Sequence, residues 1–231
     1  MRSFHYYSPI IFQKIGYVVF FILYKIFVRI EIRGRENLLG LTGPIILASN
    51  HTCELDVTAM PQVLPFFSPM WPIYYVAKPK EKYKTIGWRG YIYGGAFFSV
   101  LGGYSVYSGY KDYSVSLADF VVALKSGSTV QIFPEGKCTR DGHMNPARGG
   151  LGFLAHATQA TVVPIAIDTF FHMSWREFFT RQRKVIITIG KPIFPQELFP
   201  QEPFLRGLSV SDYQSASQNV LDHIKILLAG H

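Results

Sequence analysis

The stretch Ser49–Pro61, with the sequence SNHTCELDVTAMP, carries the residues whose types and spacing most clearly indicate chemistry. It follows the apolar run Pro44–Ala48, which predicts a strand, and a helix is expected to begin near Glu54. His51 then lies on the connecting turn, and Asp56 lies about one turn into the helix, within reach of the imidazole. Such a contact fixes the tautomer of the ring and raises the basicity of its other nitrogen, as a general base for an alcohol requires. The alternative is structural: His51 caps the turn and Asp56 binds backbone amides.

Two later segments carry further functional groups at strand ends. The predicted strand Val130–Phe133 runs into FPEGKCTRDG, residues 133–142, in which Glu135 stands next to a glycine that allows close backbone approach. Thr161–Asp168 is a predicted strand interrupted by Pro164, which fits an edge strand, a bulge or a strand end. Because α/β folds usually carry their chemistry on loops at strand ends, both segments are candidates for the same site.

Short apolar runs alternate with helical patterns along the chain. Continuous hydrophobicity is typical of strands buried on both faces, and strands that alternate with helices indicate a layered fold. We therefore predict an α/β fold with a mixed, largely parallel sheet flanked by helices. The predicted strands are Pro44–Ala48, Ile73–Ala77, Ala96–Val100, Val130–Phe133, Val162–Ile167 and Val185–Ile189. The predicted helices are Leu55–Val63, Val115–Ser126, Leu151–Thr158 and a last one from Ser211 to about Leu228. The sequence SDYQ from Ser211 onward matches the pattern of a capping box at the start of that last helix.

The composition indicates one domain next to a membrane. The 231 residues suffice for one domain, or for one domain with a terminal attachment. Charged residues make up only 16%, whereas a soluble domain has about a quarter. The net charge of +8 favours anionic lipid headgroups, phosphorylated substrates or nucleic acid, but no recognition motif accompanies the basic residues, so nucleic acid is not expected. Two cysteines are too few for a disulfide scaffold and indicate a reducing compartment.

The N-terminal segment Ile10–Ile30 is apolar, but its uncharged stretch, Ile15–Tyr24, is too short to span a bilayer at about 1.5 Å per residue. A helix here places Lys14, Lys25 and Arg29 within a sector of about 60°, which suits a helix lying in the membrane interface. Two alternatives stay open, a tilted span with a snorkelling Lys25 and a buried core helix. No small-residue cleavage site follows the apolar core, so a signal peptide is not expected.

Three blocks occur in order along the chain: Asn50-His51-x-x-x-x-Asp56, Phe133-Pro134-Glu135-Gly136 and Val162-Val163-Pro164-Ile165. In this combination the sequence resembles the glycerolipid acyltransferases typified by the lysophosphatidic acid (1-acylglycerol-3-phosphate) acyltransferases. The histidine block alone is a weak signal, whereas three blocks in register are specific. The resemblance covers about Pro44 to Pro192 and implies an α/β sheet with a membrane-binding N-terminal helical element.

The resemblance also implies roles for individual residues. His51 would be the base that takes a proton from the acceptor hydroxyl, which attacks the thioester of acyl-CoA or acyl-carrier protein, while Asp56 orients His51. No covalent acyl-enzyme is required, and neither a metal nor a cofactor other than the acyl donor as co-substrate is expected. Glu135 and Gly136 would shape the acceptor side, and Pro164 the acyl or acceptor pocket. The expected substrate-binding residues are Asn50, Glu135, Gly136, Lys137, Arg140, Arg148 and Pro164.

The sequence departs from the family pattern at the arginines that bind phosphate. The block Gly94–Ser105 contains none, and Cys138 stands where the arginine after Glu-Gly-Thr is expected. A cysteine cannot make the bidentate contact of an arginine fork. Either Lys137, Arg140 and Arg148 take over the phosphate, or, as we favour, the acceptor has no phosphomonoester there. Acceptors would then include a lysophospholipid, a lyso-aminolipid or another hydroxylated lipid.

Two groups of basic residues have competing interpretations. Arg140 is alternatively a loop salt bridge with Asp141 or Asp168. The basic stretch 78–90, KPKEKYKTIGWRG, either contacts lipid headgroups or the phosphates of coenzyme A or a carrier protein, or is a solvated face.

The two cysteines each lie within three residues of a predicted site residue. Together with His51 and Asp56, Cys53 and Cys138 form a possible set of zinc ligands. The Cys-x-x-Cys spacing of a structural site is missing, and small packing thiols are the favoured interpretation.

We therefore expect a membrane-associated acyltransferase at the cytoplasmic face of the inner (plasma) membrane. Residues 1–34 are the predicted membrane-associating helical segment and residues 35–231 the catalytic domain. The alternatives are a non-catalytic lipid-binding module and an acyl thioesterase in which His51 activates water. A serine hydrolase is poorly supported because the Gly-x-Ser-x-Gly elbow is absent from the sequence.

Overall fold

The computed structural model describes residues 7–53, 55–77, 99–107, 112–168, 170–200 and 207–230. The basic stretch 78–90 and the first residues of the block 94–105 lie outside these ranges. The helices are α1 (Tyr7–Phe27), α2 (Leu55–Ala59), α3 (Tyr113–Ser116), α4 (Ala118–Lys125), α5 (Gly150–Thr158), α6 (Trp175–Phe179), α7 (Pro195–Leu198) and α8 (Val210–Ala229). The strands are β1 (Arg29–Arg33), β2 (Ile45–Ser49), β3 (Ile73–Ala77), β4 (Gly103–Ser105), β5 (Thr129–Ile132), β6 (Thr161–Asp168) and β7 (Lys184–Ile189).

The described strands form a seven-stranded sheet in the order β1-β7-β6-β2-β5-β3-β4. Neighbouring strands are parallel, except that β6 and β7 are antiparallel. Every residue of β2 and β5 is buried, and so are all but the two end residues of β6. Such strands read as continuous apolar runs because both of their faces are covered. The predicted mixed, largely parallel sheet flanked by helices is therefore confirmed.

Each face of the sheet has its own hydrophobic cluster. On the first face, α1 and the segment of α2 and the following 3-10 helix, Met60–Val63, pack over the sheet, with Tyr24 and Met60 among the fully buried side chains. On the second face, α4, α5 and α8 bury Phe120, Leu154 and Val220. Since burying one such side chain contributes about 1.5–3 kcal/mol, both clusters hold the sheet firmly. The loops at its carboxyl ends therefore stand on a rigid base.

Helix α1 is pinned to the first face while most of its apolar surface stays exposed. Gln13 Nε2 donates to the carbonyls of Ile73 at 2.6 Å and Leu101 at 2.8 Å, and Gln13 Oε1 accepts from the Ile73 N–H at 3.0 Å. Near the other end of the helix, the Tyr24 hydroxyl lies 2.6 Å from Thr58 Oγ1. Among the described residues, α1 is the one helix long and apolar enough to cross a bilayer, with a mean hydropathy of 1.8. Because only 11% of that window is buried, the buried-core alternative is wrong.

The N-terminal segment differs from its prediction at its end. Helix α1 stops at Phe27, and Arg29 begins β1, so the basic sector of the helix holds Lys14 and Lys25 but not Arg29. Strand β1 was not predicted, because its five residues RIEIR alternate charge with single apolar side chains. It lies inside the predicted segment 1–34 and pairs with β7 along its whole length.

Other elements shift or divide relative to prediction. The predicted strand at 96–100 is wrong where it can be checked, because Ser99 and Val100 are helical, and the unpredicted strand β4 follows at Gly103–Ser105. The predicted helix Leu55–Val63 divides after α2, where Pro61 cannot supply the backbone N–H that an α-helix needs. The predicted helix Val115–Ser126 likewise becomes α3 and α4.

The C-terminal helix α8 begins at Val210, one residue before its predicted start, and its capping box lies two residues earlier than predicted. The N-cap is Ser209 and not Ser211: the Ser209 side chain accepts from the Asp212 N–H, and the Asp212 carboxylate accepts from the Ser209 N–H at 2.7 Å. This is a capping box with aspartate in place of glutamate.

Candidate active site

The site lies where two neighbouring parallel strands end. Strands β2 and β5 pair from Ile45 opposite Thr129 to Ala48 opposite Ile132, so the turn after β2 and the loop after β5 leave the sheet together. The two segments are then joined by hydrogen bonds. The His51 N–H donates to Glu135 Oε1 at 2.9 Å, and the Thr139 N–H donates to the His51 carbonyl at 2.9 Å. The structure therefore brings the first and second motif blocks into one site.

Asn50 fixes the start of the turn to the third block. Its Nδ2 donates to the Ile167 carbonyl at 2.8 Å, and its Oδ1 accepts from the Ile167 N–H at 2.8 Å. The side chain is buried and extends the hydrogen bonding between β2 and β6 by one step. Asn50 thus positions the residue that follows it, His51, because its amide is fully engaged by the backbone.

His51 and Asp56 form a hydrogen-bonded pair. The distance from His51 Nδ1 to Asp56 Oδ2 is 3.0 Å, and the Asp56 side chain is 0% exposed. Asp56 Oδ2 also accepts from the N–H groups of Thr52 at 2.5 Å and Cys53 at 2.9 Å, and Oδ1 accepts from the Thr52 hydroxyl at 3.0 Å. Asp56 therefore does what both interpretations of the sequence proposed: it binds backbone amides and holds the imidazole.

Phe133 covers one face of the imidazole. The two ring centroids are 3.8 Å apart and the planes differ by 9°. The His51 side chain is 13% exposed, so the ring is mostly enclosed and has an open part. The stacking, together with the Asp56 hydrogen bond, leaves the ring little freedom to turn, and Nε2 becomes its reactive atom.

Cys138 contacts that reactive nitrogen. Its Sγ lies 3.0 Å from His51 Nε2, and the side chain is partly exposed. The interpretation of Cys138 as a small packing thiol is therefore wrong. Cys53 lies on the other side of the pair, with Sγ 4.0 Å from Asp56 Oδ1. Among the described residues, no group of three or more His, Cys, Asp and Glu side chains is arranged to hold a metal ion.

The pKa of His51 is set by opposing effects. Burial lowers it, but the hydrogen bonds to Asp56 and Cys138 and the electrostatic interactions with these two groups raise it further than burial lowers it, to about 9. The ring therefore carries a proton on both nitrogens over most of the neutral pH range. Around it, burial and the charge of Asp56 raise the pKa of the Cys53 thiol to about 11.

Glu135 is a buried bridge below the imidazole. Besides accepting from the His51 N–H, it accepts through Oε2 from the Asn145 N–H at 2.6 Å and from Asn145 Nδ2 at 3.1 Å. Next to it, Gly136 has φ +66°, and a Cβ there would lie 2.9 Å from the Arg148 Cδ. The positive φ favours glycine for the turn, and a Cβ here would displace the Arg148 side chain. These contacts make Glu135 and Gly136 supports of the loop that carries Cys138.

The three predicted cations of the second block are exposed: Lys137, Arg140 and Arg148. Within the part of the chain that the structure describes, none of them has a carboxylate partner. The salt bridge considered for Arg140 is therefore not formed. Asp141 instead accepts from the Thr139 hydroxyl at 3.1 Å and the His143 N–H at 3.0 Å, which shapes the loop.

Pro164 lies inside β6, which is an internal strand, so the edge interpretation is wrong. Its carbonyl accepts from the Gly190 N–H at 2.8 Å, just past the end of β7, so the proline stands where the neighbouring strand stops. A Cβ on Gly190 would lie 2.9 Å from both Pro164 Cγ and Leu227 Cδ1, which puts the ring beside α8 on the second face. The structure thus groups Pro164 with the core under α8.

Besides Cys138, two residues of the site were not predicted from the sequence. Phe133 belongs to the second motif block but had no predicted role, although an aromatic residue at the end of a strand beside a site histidine is a usable signal. Asn145 gave no signal, because it lies ten residues beyond Glu135 in a segment without regular structure.

Comparison with known proteins places this geometry in a class. Residues 29–168, more than half of the chain, match the Acyltransferase family, and the chain belongs to that family. No curated protein sequence matches it. The fold is similar to the crystal structure of the 1-acyl-sn-glycerophosphate (LPA) acyltransferase PlsC from Thermotoga maritima, with a TM-score of 0.63 and 19% identity over 96% of this chain and 79% of that chain. The protein is an acyltransferase, and the family resemblance expected from the three motif blocks is confirmed.

Proposed function

We propose that the protein transfers an acyl chain from acyl-CoA or acyl-carrier protein to a hydroxyl of a lipid, with His51 as the general base and Asp56 as the residue that orients it. The observation that carries this proposal is the 3.0 Å contact between His51 Nδ1 and the fully buried Asp56 carboxylate. With Nδ1 held in this way, Nε2 is the nitrogen available to a reacting group. It stands at the junction of the loops after β2 and β5, which is where parallel sheets usually carry their sites.

The chemistry is a proton transfer coupled to attack on a thioester. The lipid hydroxyl gives its proton to His51 Nε2 as its oxygen bonds to the acyl carbon, and the sulfur of the thioester is the leaving group. General base catalysis of this type contributes a factor of about 10² to 10⁴. Holding hydroxyl and thioester in a near-attack arrangement contributes roughly a further 7–11 kcal/mol.

The acceptor is a lysolipid, either 1-acylglycerol-3-phosphate or another. Three exposed cations support an acceptor or donor that carries phosphate, because none of them has a carboxylate partner among the described residues. They are Lys137, Arg140 and Arg148. The cysteine at 138 argues against a bidentate clamp on a phosphomonoester at that point. A phosphodiester headgroup or the phosphates of the donor satisfy both observations.

We further propose that the first face of the protein rests on a membrane. Helix α1 exposes a row of apolar side chains, among them Ile15 and Ile22, and aromatic residues flank it. Phe67, 87% exposed, follows Phe66, whose ring contacts Tyr17 of α1 at 5.6 Å. Lipid is a favourable environment for a one-sided apolar surface of this kind.

The flank at the other end of α1 has the same character. Trp175 of α6 is 75% exposed, and Phe179 of α6 contacts Phe27 with ring centroids 5.0 Å apart. The apolar surface therefore continues from the helix onto the body of the protein, which favours a helix lying in the interface over a separate span. Two free thiols suit the reducing conditions of the cytoplasmic face, where we propose that the protein works.

The experiment that tests this function identifies the product. Purified protein in detergent is incubated with labelled acyl-CoA or acyl-carrier protein and a panel of lysolipids, with and without a phosphomonoester, and the lipids are identified by mass spectrometry. The proposal predicts an acylated lipid together with release of the carrier thiol. Free fatty acid without an acylated lipid would identify a thioesterase instead, and no thiol release would identify a non-catalytic lipid-binding module.

A further inference from the structure

Three side chains of the site form a continuous relay. Cys138 Sγ lies 3.0 Å from His51 Nε2, and on the other side of the ring Nδ1 lies 3.0 Å from Asp56 Oδ2. A thiol, an imidazole and a buried carboxylate in this order are the parts of a nucleophile that is activated by an adjacent base and oriented by a third group. The base proposed for the lipid hydroxyl is thus already in contact with a better nucleophile than an alcohol.

The position of the thiol is fixed by its loop. The Thr139 N–H donates to the His51 carbonyl at 2.9 Å, and Glu135 binds the His51 N–H from the same loop, so Cys138 is tied on both sides to the segment that carries the imidazole. The cysteine is partly exposed, whereas Asp56 is fully buried. The sulfur of Cys138 is therefore at the solvent-accessible end of the relay, and the Asp56 carboxylate is at its buried end.

Backbone donors are present beside the sulfur. The N–H groups of Lys137 and Cys138 donate to no protein group in the part of the chain that the structure describes. Free backbone N–H groups next to a nucleophile are the usual donors to the oxyanion that forms when a thioester carbonyl is attacked. These two N–H groups are therefore open to a ligand beside the sulfur.

We propose that Cys138 is the nucleophile that first receives the acyl chain, so that transfer proceeds through a thioester on the enzyme. This inference rests on the proposed function, because it concerns the route of the same acyl chain to the same lipid. It departs from the resemblance, which requires no covalent acyl-enzyme.

The two steps balance. In the first, the Cys138 thiolate attacks the donor thioester, the bond from Cys138 Sγ to the acyl carbon forms, the bond from the carrier sulfur breaks, and the carrier thiolate takes the proton of the His51 imidazolium. In the second, the lipid hydroxyl attacks the Cys138 thioester, His51 takes the hydroxyl proton, and the ester leaves the thiolate and imidazolium restored. No oxidant, reductant or metal takes part in either step.

The protonation of His51 agrees with this order. The raised pKa of about 9 means that the ring holds a proton at neutral pH before the first step begins. The imidazolium can therefore supply the proton for the first leaving group. In the second step the ring is neutral, as the base for the lipid must be.

Cys53 is an internal control, because it belongs to the same turn and lacks the relay. Its sulfur is on the carboxylate side, 4.0 Å from Asp56 Oδ1, and its pKa of about 11 disfavours the thiolate. An acyl group carried specifically by the relay is therefore expected on Cys138 and not on Cys53.

The test uses the whole protein with labelled acyl-CoA, or acyl-carrier protein, and no lipid. Intact mass spectrometry should show one added acyl group per chain, hydroxylamine should remove it, and peptide mapping should find it on Cys138. Addition of the lysolipid acceptor that gives product in the transfer assay should move the label from protein to lipid at least as fast as overall turnover. Acyl transfer by a wild-type protein that never carries a label on Cys138 overturns the inference and leaves the proposed function standing.

Variants separate the two proposals further. Cys138→Ala should lose the adduct and lower transfer by at least about 10², and Cys138→Ser should form an ester that turns over more slowly. Wild-type transfer by Cys138→Ala also overturns the inference. If that variant does not fold, the label on the wild-type protein still decides. Absence of both adduct and acylated lipid in the wild type contradicts the proposed function itself, whereas an adduct that is only hydrolysed contradicts the function and retains the nucleophile.

Discussion

Replacement of Asp56 by asparagine tests the pairing of carboxylate and imidazole with little change of shape. The asparagine oxygen can occupy the position of Oδ2 and accept from the Thr52 and Cys53 N–H groups, while its NH₂ group faces the Thr52 hydroxyl, which can accept. The backbone of the turn therefore keeps its hydrogen bonds. What the variant loses is the negative charge that stabilises a protonated His51.

The size of the effect follows from the distance. Two unit charges 3.0 Å apart, the separation of His51 Nδ1 and Asp56 Oδ2, interact by about 5.5 kcal/mol at an effective dielectric constant of about 20. At 1.36 kcal/mol per tenfold change in rate, this corresponds to an upper limit of about 10⁴. The neutral hydrogen bond that asparagine retains offsets about 1 kcal/mol or more of the loss. We therefore expect Asp56→Asn to lower acyl transfer by about 10² to 10⁴.

The assay follows release of the carrier thiol and formation of acylated lipid, with circular dichroism and thermal unfolding as checks on folding. Thr58→Ser, in the same short helical segment, is a conservative control that keeps a hydroxyl near Tyr24. Folded Asp56→Asn protein with wild-type turnover would refute the reasoning, because the carboxylate would then have no part in orienting or charging the imidazole.

Three further predictions concern stability, ionisation and membrane attachment. Asn50→Ala leaves a buried N–H and a buried carbonyl of β6 unpaired, so the free energy of unfolding in urea should fall by about 2–4 kcal/mol; a fall below about 0.5 kcal/mol would contradict the anchoring role. Cys138→Ala removes two causes that raise the pKa of His51, so the NMR titration midpoint of that ring should move down from about 9, and an unchanged midpoint would disprove the contact. Trp175→Ser should weaken binding to anionic vesicles by about tenfold, whereas Ile226→Ser, also exposed but on α8 across the sheet, should leave it unchanged; equal effects would contradict a membrane surface on the first face.

The interior of the fold was predictable because its strands are buried on both faces. β3 was predicted with the bounds that the structure has, and β2, β5, β6 and β7 to within one residue at each end, since short continuous apolar runs between turn residues are typical of such strands. β1 was missed because it is an edge strand of the sheet, where half of the side chains can be charged. Its existence depends on long-range pairing, which no local pattern encodes.

In the site, too, the local contacts were predictable from the sequence and the long-range contacts were not. The spacing of His51 and Asp56 within one turn fixes their contact locally, so the sequence predicted it. The contact between Cys138 and His51 joins residues 87 positions apart, and it depends on β2 and β5 being neighbours in the sheet. For that reason the cysteine looked like a substitution that removes an arginine, whereas the structure puts its sulfur against the reactive nitrogen.

The measurement that tests the central claim most directly is acyl transfer by His51→Ala, compared with His223→Ala, which removes an exposed histidine of α8 outside the site. The account predicts that the first variant stays folded and loses at least about 10² in the rate of acylated lipid formation, while the second keeps the wild-type rate. Wild-type turnover by folded His51→Ala would contradict the assignment of this imidazole as the group that moves the proton.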